Sequence, residues 1–107
     1  MSGRELVGRR FVFEYGENLK YEIDVVDEGA IDLTLLSAMD YSMSVVSRVP
    51  MTLTRLRPAL FVMTWEEPGS LTIVTQFADF ANGVAAVCAR DPGARTVRQL
   101  AGTVMAA

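Results

Sequence analysis

The chain has 107 residues and a net charge of −3, with half of its residues hydrophobic and 21% charged. This size allows one small domain, residues 1–107, and excludes two domains with separate cores. The acidic balance and the scattered arginines exclude the basic surface that phosphate backbones require. We therefore expect no nucleic-acid partner.

Histidine is absent and Cys88 is the one cysteine. Ser-His and Cys-His pairs cannot be built, and the commonest zinc ligand is missing, so we expect neither a metal nor a cofactor. Acid or base chemistry must come from Asp, Glu, Tyr, Lys or the cysteine. Three features predict a cytoplasmic protein without membrane contact. The cysteine is alone, the N-terminus "MSGRELVGRR" has no apolar signal core, and no apolar run approaches the ~20 residues of a membrane span.

Alternating apolar and polar residues between turn signals predict an all-β chain. The eight predicted strands are 8–15, 19–27, 30–36, 44–56, 59–67, 71–78, 84–90 and 95–107, with an irregular piece at 37–43. Pro50 predicts a bulge, bend or edge position, and Asn82-Gly83 predicts a hairpin. Short connections throughout predict an antiparallel up-and-down meander. Eight such strands can hide both edges by closing into a barrel, whose interior is either filled or holds one small ligand.

The faces of several strands can be assigned from their alternation. Rows of large apolar residues in the first, second and fifth strands are predicted to point inward: Phe11, Phe13 and Tyr15; Leu19, Tyr21, Ile23 and Val25; Phe61, Met63 and Trp65, followed by Glu67. The strand 84–90 is apolar on both faces. This pattern predicts a subunit contact outside the barrel, and hence a homodimer, although a covering loop would serve equally well.

The sequence also resembles a known family. The segments "RRFVFEYGENLKYEIDVVDEGAIDL", "LTRLRPALFVMTWEEPGSLTIVTQFADFANGV" and "LAGTV" are similar to the small MoaF-like proteins, which are related to bacterial phenolic acid decarboxylases. Three elements of the resemblance are the most specific. They are Tyr15 followed six residues later by Tyr21 and Glu22, the pattern Trp65-x-Glu67-Pro68, and the "DFANG" turn. The resemblance implies a lipocalin-like (calycin-like) antiparallel barrel with a ligand cavity, in agreement with the alternation.

The decarboxylases hold the substrate carboxylate with a pair of tyrosines on the first strand and an arginine after the third. Here Phe13 and Tyr15 stand at the tyrosine positions, so one hydroxyl is missing, and no arginine precedes Arg48 in the corresponding segment. The glutamate of the tryptophan motif, which acts on the phenol end in the decarboxylases, is kept as Glu67. The resemblance therefore implies the cavity rather than the decarboxylation.

Glu67 and Tyr15 are the predicted catalytic residues, as acid or base and as hydroxyl donor. The predicted ligand-binding residues are Phe11, Phe13, Tyr21, Tyr41, Arg48, Met63 and Trp65. Arg48 joins this set if a bulge near Pro50 turns it inward. The opposing interpretation is that Glu67 begins a solvated turn and that the tyrosines and Trp65 are core residues.

The leading hypothesis is a barrel that binds a small apolar or aromatic molecule. If it is an enzyme, the chemistry is a cofactor-free lyase, isomerase or cyclase step on a conjugated substrate, with Glu67 as acid or base. One alternative is a non-catalytic carrier of a small apolar ligand, and another is a solid-core barrel that acts as an interaction module through its outer surface.

Overall fold

The computed structural model describes residues 4–16, 19–38, 46–67, 71–91, 93 and 95–107. Within these ranges a 3-10 turn, Arg4–Leu6, precedes nine strands. The strands are β1 (Arg10–Tyr15), β2 (Leu19–Asp27), β3 (Ala30–Ala38), β4 (Val46–Pro50), β5 (Thr52–Arg57), β6 (Leu60–Glu66), β7 (Ile73–Asp79), β8 (Val84–Asp91) and β9 (Thr96–Ala106). None of the helical segments in the described ranges has the length and apolar character of a membrane span.

All nine strands form one antiparallel sheet, in the order β4-β3-β2-β1-β9-β8-β7-β6-β5. The first strand pairs with the last, with Phe13 opposite Val104. The two outer strands, β4 and β5, are consecutive in the chain and meet at Met51. The sheet therefore curls into a nearly closed barrel, which confirms the predicted all-β, antiparallel, lipocalin-like fold.

Proline explains why nine strands replace the eight predicted. The segment 44–56 was expected to be one strand, but it pairs with β3 as far as Pro50 and with β6 from Thr52 onward. Proline has no N–H to donate to a ladder. The next amide, that of Met51, donates instead to the Gly29 carbonyl at 2.9 Å. The chain thus bends at Pro50, as predicted, and each half joins a different edge of the sheet.

The barrel interior is built from the predicted inward rows. The buried residues of β1, β2 and β6 are Phe11, Phe13 and Tyr15; Tyr21, Ile23 and Val25; and Phe61, Met63 and Trp65. Full burial of each large side chain contributes roughly 1.5–3 kcal/mol. The polar residues that alternate with them face water, where Arg10 pairs with Glu22 at 3.2 Å and Lys20 with Glu14 at 3.7 Å.

One end of the barrel, here called the Phe80 end, is packed with rings. The Phe80 ring lies 4.4 Å from the Phe11 ring and 5.7 Å from the Phe61 ring, measured between centroids. Leu6 joins the same core with 1% of its surface exposed. The Gly8 amide donates to the Val25 carbonyl at 2.8 Å and fixes the N-terminal turn under this end. Any space for a ligand must therefore lie toward the other end, here called the Tyr15 end.

The hairpin between β7 and β8 forms where Asn82-Gly83 predicts it. The Asp79 carboxylate accepts bonds from the Ala81 and Asn82 amides, and Gly83 has a positive φ of 68°. This turn sets the register in which Val74, Gln76 and Ala78 face inward. The larger apolar side chains of β7 therefore face outward, and Phe77 remains 39% exposed.

Gly102 on β9 allows Tyr15 to lie against the barrel wall. A Cβ atom at this position would stand 2.7 Å from Tyr15 Cδ1 and still closer to the Glu14 carbonyl oxygen. Neither the backbone of β1 nor a buried ring can retreat easily in a packed interior. A glycine is required here because of this close approach.

We expect Gly102→Ala to destabilise the fold by about 1–3 kcal/mol, because the added methyl overpacks the Tyr15 wall. The free energy of unfolding in urea measures the effect. Gly29→Ala is the matched control, since a Cβ there would lie 3.7 Å from the nearest atom, an ordinary contact. A Gly102→Ala variant as stable as the Gly29→Ala variant would contradict the close packing.

Candidate functional site

A hydrogen-bonded polar cluster lies inside the barrel toward the Tyr15 end. Gln76 is fully buried, and Tyr15 and Tyr21 are 4% and 6% exposed. The Tyr21 hydroxyl donates to Gln76 Oε1, and Gln76 Nε2 donates to the Tyr15 hydroxyl. These three side chains come from β7, β1 and β2, so the cluster joins opposite walls of the barrel.

The backbone around Gln76 fixes the orientation of its amide. Nε2 lies 2.9 Å from the Phe77 carbonyl oxygen and 3.1 Å from that of Ala86. Carbonyl oxygens only accept, so the nitrogen must be the atom that faces them. Oε1 must then face Tyr21. Among the described residues, no buried side-chain nitrogen or oxygen lacks a hydrogen-bond partner.

This orientation also fixes the direction of the tyrosine bonds. The one hydroxyl proton of Tyr21 is used in its bond to Gln76 Oε1. The Tyr15 oxygen accepts from Gln76 Nε2, so the proton of Tyr15 is the one that serves its hydrogen bond with the Tyr21 oxygen. Tyr15 is therefore the member of the cluster whose proton Gln76 does not accept, and a ligand oxygen would compete with Tyr21 for it.

Burial keeps both hydroxyl groups protonated. Desolvation raises the pKa of Tyr15, and its hydrogen bonds with Gln76 and Tyr21 offset part of that rise. Desolvation also raises the pKa of Tyr21, and the neighbouring Tyr15 and the negative charge of Glu67 raise it further. Both tyrosines are therefore neutral hydrogen-bond donors across the physiological pH range.

Glu67 lies at the rim of this cluster, one residue beyond the end of β6. Its side chain is half-buried, and Oε1 stands 3.4 Å from Trp65 Nε1. The Glu67 amide donates to the Thr72 carbonyl at 2.8 Å, which anchors the residue across the β6–β7 connection. The carboxylate is thus held beside the indole, whose N–H is its one side-chain donor among the described residues.

Trp65 links the rim to the buried cluster. The indole is 4% exposed, and its ring meets the Tyr21 ring edge to face, with centroids 6.5 Å apart. It also borders a groove of about 350 Å³ at the seam of the barrel, between the bend at Met51 and the first residue of β7, Ile73. The groove opens where the pairing of β5 with β6 ends at Thr64.

Two predicted ligand-binding residues lie directly below the cluster. Phe13 and Met63 are completely buried, and the Phe13 ring stacks on Tyr21 with centroids 5.6 Å apart. Phe11 lies farther away, at the Phe80 end, where its ring packs on Phe80. The structure therefore brings Phe13 and Met63 to the cluster but not Phe11.

Arg48 corrects one prediction. Arg48 was assigned to the site on the condition that a bulge near Pro50 turns it inward, but alternation in β4 buries Val49 instead and leaves the Arg48 side chain 63% exposed. Its guanidinium binds the Asp32 carboxylate on the outer surface at 2.6 and 3.0 Å. The condition for an inward Arg48 is therefore not met. Tyr41 lies outside the described residues.

Gln76 is the site residue that the sequence analysis missed. The outward row of β7 contains Ile73 and Phe77, which are more apolar than the inward row, so alternation alone favours the wrong face. A usable signal is the glutamine itself, which is the one amide side chain in the strand "LTIVTQFA". No group of three or more potential metal ligands occurs among the residues that can be described.

Comparisons with known proteins agree with this architecture. A crystal structure described as a "putative beta-lactamase" from Burkholderia vietnamiensis matches with a TM-score of 0.80 over 95% of this chain and 95% of that chain, at 17% identity. At this identity the likeness shows the fold alone. No match was found among curated proteins. The family model described as MoaF-like matches residues 7–105, and the chain therefore belongs to the MoaF-like family.

Proposed function

We propose that the protein binds one small aromatic or conjugated molecule at the Tyr15 end of the barrel. The observation that carries this proposal is the hydroxyl proton of Tyr15, which Gln76 does not accept and which is held inside an otherwise apolar interior. Small-molecule sites typically combine apolar walls with a few fixed polar groups.

The polar groups favour a neutral acceptor oxygen on the ligand. Tyr15 offers a hydrogen bond to a carbonyl or phenol oxygen, whereas the nearby Glu67 carboxylate would repel an anion. Phe13 lacks the second hydroxyl of a carboxylate clamp, and Arg48 lies on the outer surface. We therefore infer an enone-like or phenolic ligand rather than a carboxylic acid.

Glu67 gives this site an acid or base. A carboxylate with unused acceptor capacity can take a proton from a carbon next to a carbonyl group. The electron pair then moves to the carbonyl oxygen, where the Tyr15 hydrogen bond stabilises the developing charge. Return of the proton to another carbon completes an isomerisation without a cofactor. A carrier would use the same contacts without proton transfer.

A β-lactamase activity finds no support in the described side chains. Serine-dependent β-lactamases use a serine with a nearby lysine. Lys20, the one lysine of the chain, lies on the outer surface beside Glu14. The name of the structural neighbour is therefore not carried over to this chain.

An interaction module is the second candidate function. It is favoured by the dense packing of rings between Tyr21 and the Phe80 end, and by large apolar side chains on the outside of β7 to β9. Such a module would act through this outer surface, independently of the Tyr15 end.

Ligand binding can be measured through the fluorescence of Trp65, the one tryptophan. We expect enones or phenols to change the emission and matched carboxylic acids to have little effect. Tyr15→Phe should weaken binding about tenfold, because one buried hydrogen bond of about 1.4 kcal/mol is lost. Binding of none of these compounds, or equal binding by the Tyr15→Phe variant, would contradict the proposal.

Product analysis of any ligand found separates an enzyme from a carrier. We expect Glu67→Gln to abolish turnover while changing affinity less than about threefold, since the amide keeps the shape of the side chain. Glu66→Gln is the matched control, because the neighbouring Glu66 is exposed on the opposite face of the strand. Full activity of Glu67→Gln would exclude Glu67 as the base, and binding without any product would favour the carrier.

The two buried tyrosines should make the fold sensitive to alkali. Because burial raises their pKa values in the folded state, the folded chain retains protons that an unfolded chain loses near pH 10. Their contribution to stability is therefore fully present below about pH 10 and falls as the pH rises above it. In a Tyr41→Phe background, tyrosinate absorbance should rise together with the loss of the circular dichroism signal. Ionisation of both tyrosines in a folded chain would contradict their burial.

A further inference from the structure

The outer surface of β7, β8 and β9 is unusually apolar for a surface in contact with water. This surface is here called the apolar face, and its main members are Ile73, Phe77, Val84, Ala86, Ala101 and Met105. Phe77, Val84 and Met105 are 39%, 48% and 61% exposed. Contiguous apolar surfaces of this kind usually mark an interaction site.

The outer surface of β1 to β4 provides a contrast within the same barrel. It carries the ion pairs of Arg10 with Glu22, Lys20 with Glu14, and Arg48 with Asp32. The outer surface of the barrel thus has a charged part, on β1 to β4, and an apolar part, on β7 to β9. This asymmetry favours a partner on the apolar face, and it is independent of any ligand at the Tyr15 end.

A shallow groove of about 320 Å³ lies in the apolar face. It forms because Ala86 and Ala101 are neighbours in the ladder and are both small, while the larger Phe77 stands beside Ala86 on β7. No charged residue among those that the structure describes lines the groove, so the centre of the face is low and apolar, and a second apolar face can pack against it.

The charges on this face support the same partner. Asp79 lies on β7 toward the Phe80 end, and Arg90 lies on β8 toward the Tyr15 end. Arg90 makes no ion pair with any residue that the structure describes. A twofold axis running across the strands at the middle of β8 exchanges the two ends of the face. Each Asp79 then lies near the partner's Arg90, and the contact occurs twice.

We propose that two copies of this chain form a homodimer through their apolar faces, about a twofold axis that crosses β8 between Ala86 and Cys88. The packing removes Phe77, Val84 and Met105 from water and places the oppositely charged Asp79 and Arg90 at the two rims. It leaves the Tyr15 end of each barrel outside the interface.

Sedimentation equilibrium or light scattering of the full chain tests this interface. We expect the mass of a dimer for the wild type and of a monomer for Ala86→Arg, because a charge would be buried at the centre of the contact. Thr54→Arg is the matched control, since Thr54 is exposed on β5, away from the apolar face, and its variant should remain dimeric. Circular dichroism establishes that each variant is folded.

Arg90→Glu provides a second test that does not alter the centre of the face. Placing a carboxylate opposite Asp79 should raise the dimer dissociation constant at least about tenfold at low salt, and Arg90→Gln should raise it less. A monomeric wild type would overturn the proposal. So would a dimer that is unaffected by both Ala86→Arg and Arg90→Glu, since it would form through another surface.

Discussion

The buried amide of Gln76 is the interaction on which the rest of this barrel depends. It contacts backbone carbonyls of β7 and β8 and the hydroxyl groups of Tyr15 on β1 and Tyr21 on β2. Leaving such a group unpaired in the interior would cost about 1–3 kcal/mol. The opposite walls are thus connected by directional bonds as well as by packing, and the positions of both tyrosines follow from the orientation of one side chain.

This cluster divides the interior into two parts with different properties. Between Tyr21 and the Phe80 end, aromatic and aliphatic side chains fill the barrel and stabilise it. On the other side, Trp65 brings an indole against Tyr21, and Glu67 brings a carboxylate to the rim of the cluster. The proposed ligand site is therefore a polar end of a packed core rather than a hollow running through the barrel.

The sequence predicts most of the fold because alternation is clear where one face of a strand is polar. The inward rows of Phe13, Tyr21 and Trp65 are identified in this way, and the hairpin at Asn82 follows from its turn chemistry. Residues 44–56 divide at Pro50 because each half pairs with a different strand. The local sequence carries no information about those partner strands. Gln76 is missed because its own face is the less apolar one, and a contact across the barrel compensates for its burial.

A double-mutant cycle between Gln76 and Tyr21 tests the central role of this amide most directly. Free energies of unfolding would be measured for Gln76→Leu, Tyr21→Phe and the double variant. Each single change leaves a buried polar group of the partner unpaired, so we predict that the double variant is less destabilised than the sum, with a coupling of about 1 kcal/mol or more. Additive effects, within about 0.3 kcal/mol, would contradict the account, because the two side chains would then contribute independently.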